Sequence, residues 1–167
     1  MKVTLLVSTM TGTAEMLAED LVARFGSEHA MRLVLAEDTG PQVCDASARL
    51  IVVSSTYGTG DVPTPAQPLF AQIESLDLAG IDYAVIALGD RNYGETFAMG
   101  GRRWDRMLAE RGARRLAEPL VIDFVHGDDM TAMAVDWFAA LAATEPASCN
   151  TPHHRSKETA CPAPSAP

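Results

Sequence analysis

Five short apolar runs recur along the chain: KVTLLV (2–7), MRLVLA (31–36), RLIVVS (49–54), YAVIAL (83–88) and LVIDFV (120–125). None alternates cleanly between polar and apolar positions. A strand with one face in water alternates at period two, whereas a strand covered on both faces has no reason to. The runs are separated by amphipathic stretches of helical period at 14–25, 65–76, 99–111 and 130–143, with a further turn of helix expected at 45–48. Strands of this kind alternating with helices imply right-handed crossovers and a parallel sheet with helices on both faces. The predicted fold class is therefore α/β, a three-layer doubly wound five-stranded parallel sheet, formed as one domain over residues 1–143. Trp104, Met107 and Leu108 read as core, as do Trp137 and Phe138.

The connections differ by end. Those following the first, third, fourth and fifth runs are STMTGT, SSTYGTGDVPTP, GDRNYGET and HGDD, rich in small, hydroxyl and acidic residues. All four fall at carboxyl ends of strands, hence on one edge of the sheet. The opposite connections, SLDLAG and RGARR, look like plain turns. Open doubly wound sheets bind ligands outside the carboxyl ends of their strands.

The first of these bends holds four hydroxyl side chains, Ser8, Thr9, Thr11 and Thr13, around a single glycine, Gly12. A strand-to-helix bend leaves the first helical amides without partners at the positive end of the dipole, and an anion placed there satisfies them. Thr11 or Thr13 could instead serve as a simple cap, but that accounts for one hydroxyl of the four. No lysine follows Gly12, so the loop is not of the nucleoside-triphosphate type, and G-x-G-x-x-G is absent as well. The GTG at 58–60 runs into Asp61 and Pro63 rather than into a helix. Neutral donors suit a terminal phosphate monoester that anchors a cofactor. Tyr57 and Tyr93, on glycine-bearing loops beyond strands three and four, could sandwich a flat ring.

STMTGTAEMLAEDL, SSTYGTGDVPTPAQPLF and ALGDRNYGETFAMGGRRWDRMLAERGA together resemble the flavodoxin-like FMN-binding family. The likeness extends to the FMN domains of diflavin reductases and to short standalone flavodoxins of the MioC type, and covers about residues 2 to 143. It implies strand order 2-1-3-4-5. It also implies that Ser8, Thr9, Thr11, Gly12 and Thr13, with Met10 in the same loop, hold the FMN phosphate. Ser54, Thr56, Tyr57, Gly58 and Gly60 would form the second loop, and Gly89, Asp90, Asn92 and Tyr93 the third, with the two tyrosines on opposite faces of the ring. Asp128 or Asp129 would meet the ribityl chain or loop backbone. Thr59 and Arg91 depart from the diflavin pattern.

The resemblance implies a carrier of single electrons between an NAD(P)H-dependent flavoprotein reductase and an acceptor protein, with no residue acting as acid, base or nucleophile. The alternatives are an NAD(P)H–quinone oxidoreductase type of enzyme, the FMN module of a diflavin reductase, and a module that has lost its flavin. Carboxylates near the ring lower the potential of its more reduced couple. One charge at about 10 Å and an effective dielectric near 20 amounts to roughly 1.7 kcal/mol, on the order of 70 mV. Asp61, Asp90, Glu95, Asp128 and Asp129 act in that sense and Arg91 against it.

The chain carries 13 basic and 22 acidic residues, a net charge of −9, which argues against nucleic acid as partner. Six of the basic residues are arginines between Arg102 and Arg115, leaving 7 basic against 20 acidic residues elsewhere. An acidic body of this kind suggests steering toward a cationic protein. No apolar run reaches the length of a membrane span, and three cysteines without a C-x-x-C pair favour a reducing, cytoplasmic setting. A monomer is expected. Residues 144–167, with Cys149, His153, His154 and Cys161, fit a disordered proline-rich tail or linker and no standard zinc pattern.

Overall fold

A computed structural model describes residues 1–125 and 129–143. The strands are β1 (Lys2–Ser8), β2 (Ala30–Leu35), β3 (Arg49–Ser54), β4 (Asp82–Gly89), β5 (Arg114–Arg115) and β6 (Leu120–Asp123), with helices α1 (Thr13–Phe25), α2 (Gln67–Ile73), α3 (Met99–Glu110) and α4 (Met130–Ala143). All pairings are parallel, in the order β2-β1-β3-β4-β5, and β6 also pairs with β4.

Successive side chains of a strand point to opposite faces, and the buried strands use both. Leu5, Val7, Ile51 and Ile86 pack toward α1 and α4, where they meet Leu17, Leu21 and Phe138. Leu6, Val52 and Val85 pack toward α2 and α3, where they meet Ile73, Trp104 and Leu108. Each fully buried Leu or Ile contributes on the order of 1.5–3 kcal/mol, so the two-sided runs are the principal source of stability. Trp104 and Phe138 are fully buried and Trp137 partly so. Among the described residues no helix is long and apolar enough to cross a membrane.

Five local expectations need correction. The fifth sheet position is split. Asp82 pairs with Arg114 but Ile86 pairs with Leu120, so the outer segment spends two residues more than β4 over the same distance. The excess is taken up by 116–119, where Pro119 has no N–H to offer the ladder. Arg114 and Arg115, which look like part of a turn, pair with β4 instead, and the strand over 120–125 stops at Asp123 because β4 ends at Gly89. The helix over 65–76 shortens to α2, preceded by a 3-10 turn at Thr64–Ala66. Residues 45–48 form a turn in which the Asp45 carboxylate accepts from the backbone and hydroxyl of Ser47, and the nearby 3-10 turn is Pro41–Val43.

The basic ridge also proves to be half structural. Arg114 pairs with Asp82, Arg103 with Asp61, and Arg115 with Asp105 and Glu118. Beside the last pair, Tyr83 donates its hydroxyl to the Asp105 carboxylate (3.0 Å), and burial raises the phenol's pKa above its ordinary value. At the far end of the sheet, buried Arg49 donates to the carbonyl of Leu141 (3.0 Å), closing the last turn of α4.

Candidate functional site

The carboxyl ends of β1, β3 and β4 surround a cleft of about 450 Å³ lined by residues 10, 11, 13, 55–58, 90, 93, 96, 98 and 124. Its floor is the amino end of α1. Gly12 caps that helix at φ 88°, a left-handed conformation that costs an L side chain about 1–2 kcal/mol, and a side chain there would meet nothing within 4 Å. No side chain stands at that position, at the start of a helix whose first amides lack helical partners. Thr11 and Thr13 face the cleft, whereas the Thr9 hydroxyl accepts the Gly12 N–H (3.1 Å) and holds the loop's own curvature.

The second wall leaves β3. Thr56 donates its hydroxyl to the carbonyl of Leu88 (3.0 Å) and accepts the N–H of Gly100 (3.1 Å), tying the loop to β4 and to the first turn of α3. Gly100 and Gly101 permit that closeness: a Cβ on either would lie 2.4 Å from Ser55 O or from the Ala87 Cβ. Beyond Thr56 the chain exposes Tyr57, 47% accessible, and turns back at Asp61.

The third wall follows β4. The Asp90 carboxylate accepts the Asn92 N–H (2.8 Å), and the segment ends at Ala98, the one non-glycine residue with positive φ (56°) among those described. Tyr93 is 66% accessible at this wall. Of the eight large apolar side chains that are exposed among the described residues, four (Met10, Tyr57, Tyr93 and Phe124) belong to this one cleft. Clustered exposed aromatics of this kind mark a binding surface rather than scatter.

Of the predicted site residues, Met10, Thr11, Thr13, Thr56, Tyr57, Gly58, Asp90 and Tyr93 line the cleft. Thr9, Gly12, Gly60, Gly89 and Asn92 shape its loops from behind or outside. Ser8 and Ser54 lie fully buried beneath it: the Ser8 hydroxyl accepts the Trp104 indole N–H (3.3 Å), and that of Ser54 donates to Ser55 O (2.9 Å). Asp128 lies outside the described residues, as does the 144–167 segment. The sequence reading missed Ser55, Thr96, Ala98 and Phe124. Ser55 stands inside the SSTYG stretch, one residue past the strand. Phe124 carried no such signal, since in LVIDFV the polar Asp123 is buried and the aromatic that follows it is exposed, the reverse of what their polarity implies.

The expected acidic field is partly cancelled. Asp61 is 3.0 Å from Arg103, and Arg91, 5.6 Å above the Phe97 ring, approaches buried Asp123 (3.6 Å).

A sequence profile described as Flavodoxin matches residues 5–138. The chain belongs to the flavodoxin family. Flavodoxin YqcA of Escherichia coli (strain K12) is 37% identical over 123 residues, covering 70% of this chain and 80% of that one. The sulfite reductase [NADPH] flavoprotein alpha-component of Thiocapsa roseopersicina is 36% identical over 120 residues, covering 69% of this chain but 23% of that larger protein. Among solved structures, a cysteine-to-alanine mutant of flavodoxin from Pseudomonas aeruginosa superposes with a TM-score of 0.72 at 31% identity, covering 86% of this chain and 97% of that one. The flavodoxin architecture and strand order thus agree between sequence, structure and relatives.

Proposed function

We propose that the chain is an FMN-dependent electron-transfer protein that takes electrons from an NAD(P)H-dependent flavoprotein reductase and delivers them to an acceptor protein. The observation that carries the cofactor is the gathering of exposed Tyr57, Tyr93, Met10 and Phe124 around one cleft at the amino end of α1. Ser55 lines the cleft as well, and its Oγ is shielded from solvent with no hydrogen-bond partner among the described residues. An unmade bond of this kind costs about 1–3 kcal/mol, and a polar group of a bound cofactor toward which the hydroxyl turned would satisfy it. The first amides of α1 and the hydroxyls of Thr11 and Thr13 fit the cofactor's phosphate. Tyr57 and Tyr93, 47% and 66% exposed, would bury their faces against a flat ring and keep water from it.

FMN supplies one-electron redox chemistry when bound. The residues of the chain bind and orient it: the first loop holds its charged end, the tyrosines its ring, and the Thr56 strut fixes one wall. Arg91 and Arg103 oppose the local carboxylates and would make the reduced cofactor less unfavourable than the acidic composition alone implies. Purified protein should be yellow, and stripped protein should quench added FMN fluorescence with one-to-one stoichiometry. A reductase together with NAD(P)H should bleach that colour where NAD(P)H alone does not. Protein that ignores FMN refutes the cofactor, and direct oxidation of NAD(P)H favours an enzyme of the quinone oxidoreductase type. The likeness to the sulfite reductase flavoprotein supports a second reading, an FMN module serving a neighbouring domain. Reduction that needs no separate reductase in the native polypeptide would distinguish it.

A further inference from the structure

We propose that Arg103 is a positioning residue for the Tyr57 loop, acting through an ionic tether to Asp61. The inference rests on FMN occupying the cleft. Tyr57 and Asp61 form an isolated antiparallel bridge, with Tyr57 N donating to Asp61 O (3.0 Å) and Asp61 N to Tyr57 O (2.8 Å). The backbone of Tyr57 therefore goes where Asp61 goes. The Tyr57 ring makes no side-chain hydrogen bond among the described residues, so its placement depends on that backbone. Asp61 is in turn held by Arg103 Nη1 at 3.0 Å.

Arg103 lies one turn along α3 from Gly100, whose N–H reaches the Thr56 hydroxyl at the start of the same loop. One helix thus grips the loop at both ends, by a buried neutral strut at Thr56 and by a surface ion pair at Asp61. Between them Gly60, at φ 97°, sits against Met99 and Thr96, where a Cβ would come to 3.0 and 3.3 Å. The loop can swing from the cleft only by leaving α3. The Arg103–Asp61 pair is the part of this grip open to solvent, with side chains 45% and 43% accessible, and so the part that salt can loosen.

The two roles an arginine could play here predict opposite signs. If Arg103 merely attracts an anionic cofactor, removing the Asp61 charge should slow FMN release. If the pair is a tether, removing either partner should speed it. Exposed pairs of this kind contribute enough for about a two- to fivefold change in rate. The experiment follows the recovery of FMN fluorescence after dilution of the FMN-loaded full chain. Variants are Arg103→Gln, Asp61→Asn, the double variant and Arg103→Lys, with circular dichroism confirming folding. Expected are a two- to fivefold faster release in both single variants, no further change in the double variant, and partial rescue by lysine. Salt at about 0.5 M should bring the wild type to the variants' rate. Slower or unchanged release in Asp61→Asn, or additive effects in the double variant, overturns the proposal while leaving FMN binding intact. A wild type that takes up no FMN removes the cofactor reading and the tether together.

Discussion

Ser55 is placed where a folding protein has least reason to put a hydroxyl, shielded from solvent and without a partner. Its unmade bond is a local cost that a polar group of a bound cofactor would relieve. Ser55→Ala should therefore raise the stability of the FMN-free protein by about 1 kcal/mol, measured by urea unfolding, and weaken FMN binding roughly tenfold in a fluorescence titration. A change of the same sign in both would contradict a ligand role. Ala98 is a second local cost at the same cleft, an alanine held at φ 56°. Left-handed backbone costs an L residue about 1–2 kcal/mol, of which glycine's greater chain entropy returns about 0.5–1, so Ala98→Gly should gain about 0.5–1 kcal/mol in the same unfolding assay.

The element on which the site turns is α3. Its glycine pair lets the helix press against β3 and β4, and Gly101 has Ala87 Cβ only 2.4 Å from where its own would stand. Gly101→Ala should cost about 1–3 kcal/mol by forcing that layer apart, read as a lowered denaturant midpoint. FMN affinity should fall with it, because the Thr56 strut ends on the same turn. The pattern MGGRRWDRML announces a helix with an apolar face, and that helix forms. What the pattern withholds is why two poor helix formers begin it, since the reason lies far back in the chain, at Ala87 of β4 and at Ser55 just past β3. The same limit explains β5. Two adjacent arginines are no strand signature, yet their backbone pairs with β4, and Arg114 meets Asp82 there while Arg115 meets Asp105. The strands with apolar runs covered on both faces were legible. Where ladders end was not, because an end is set by the neighbouring strand.

For the chain as a whole, two weak acids, half-buried Cys44 and buried Tyr83, shape the alkaline limb of stability. Burial pushes the Cys44 thiol from 9.0 up to about 11 and raises the Tyr83 phenol as well. Both groups keep their protons longer when folded. The stability they confer is intact below pH 9.0 and is lost as pH climbs toward about 11. Urea midpoints should fall across that window, and Cys44→Ala should make the fall shallower. Electrostatics act differently at neutral pH, where the net charge of −9 surrounds a cleft near which Asp61 and Asp123 are paired with arginines. The clasp of Arg49 on Leu141 has a practical corollary. It fixes the exit of α4 beside the first residue of β3, at the pole away from the tyrosines. An affinity tag or electrode linker joined after residue 143 would then present the redox pocket outward, and voltammetry on a film anchored that way should retain access for a soluble reductant.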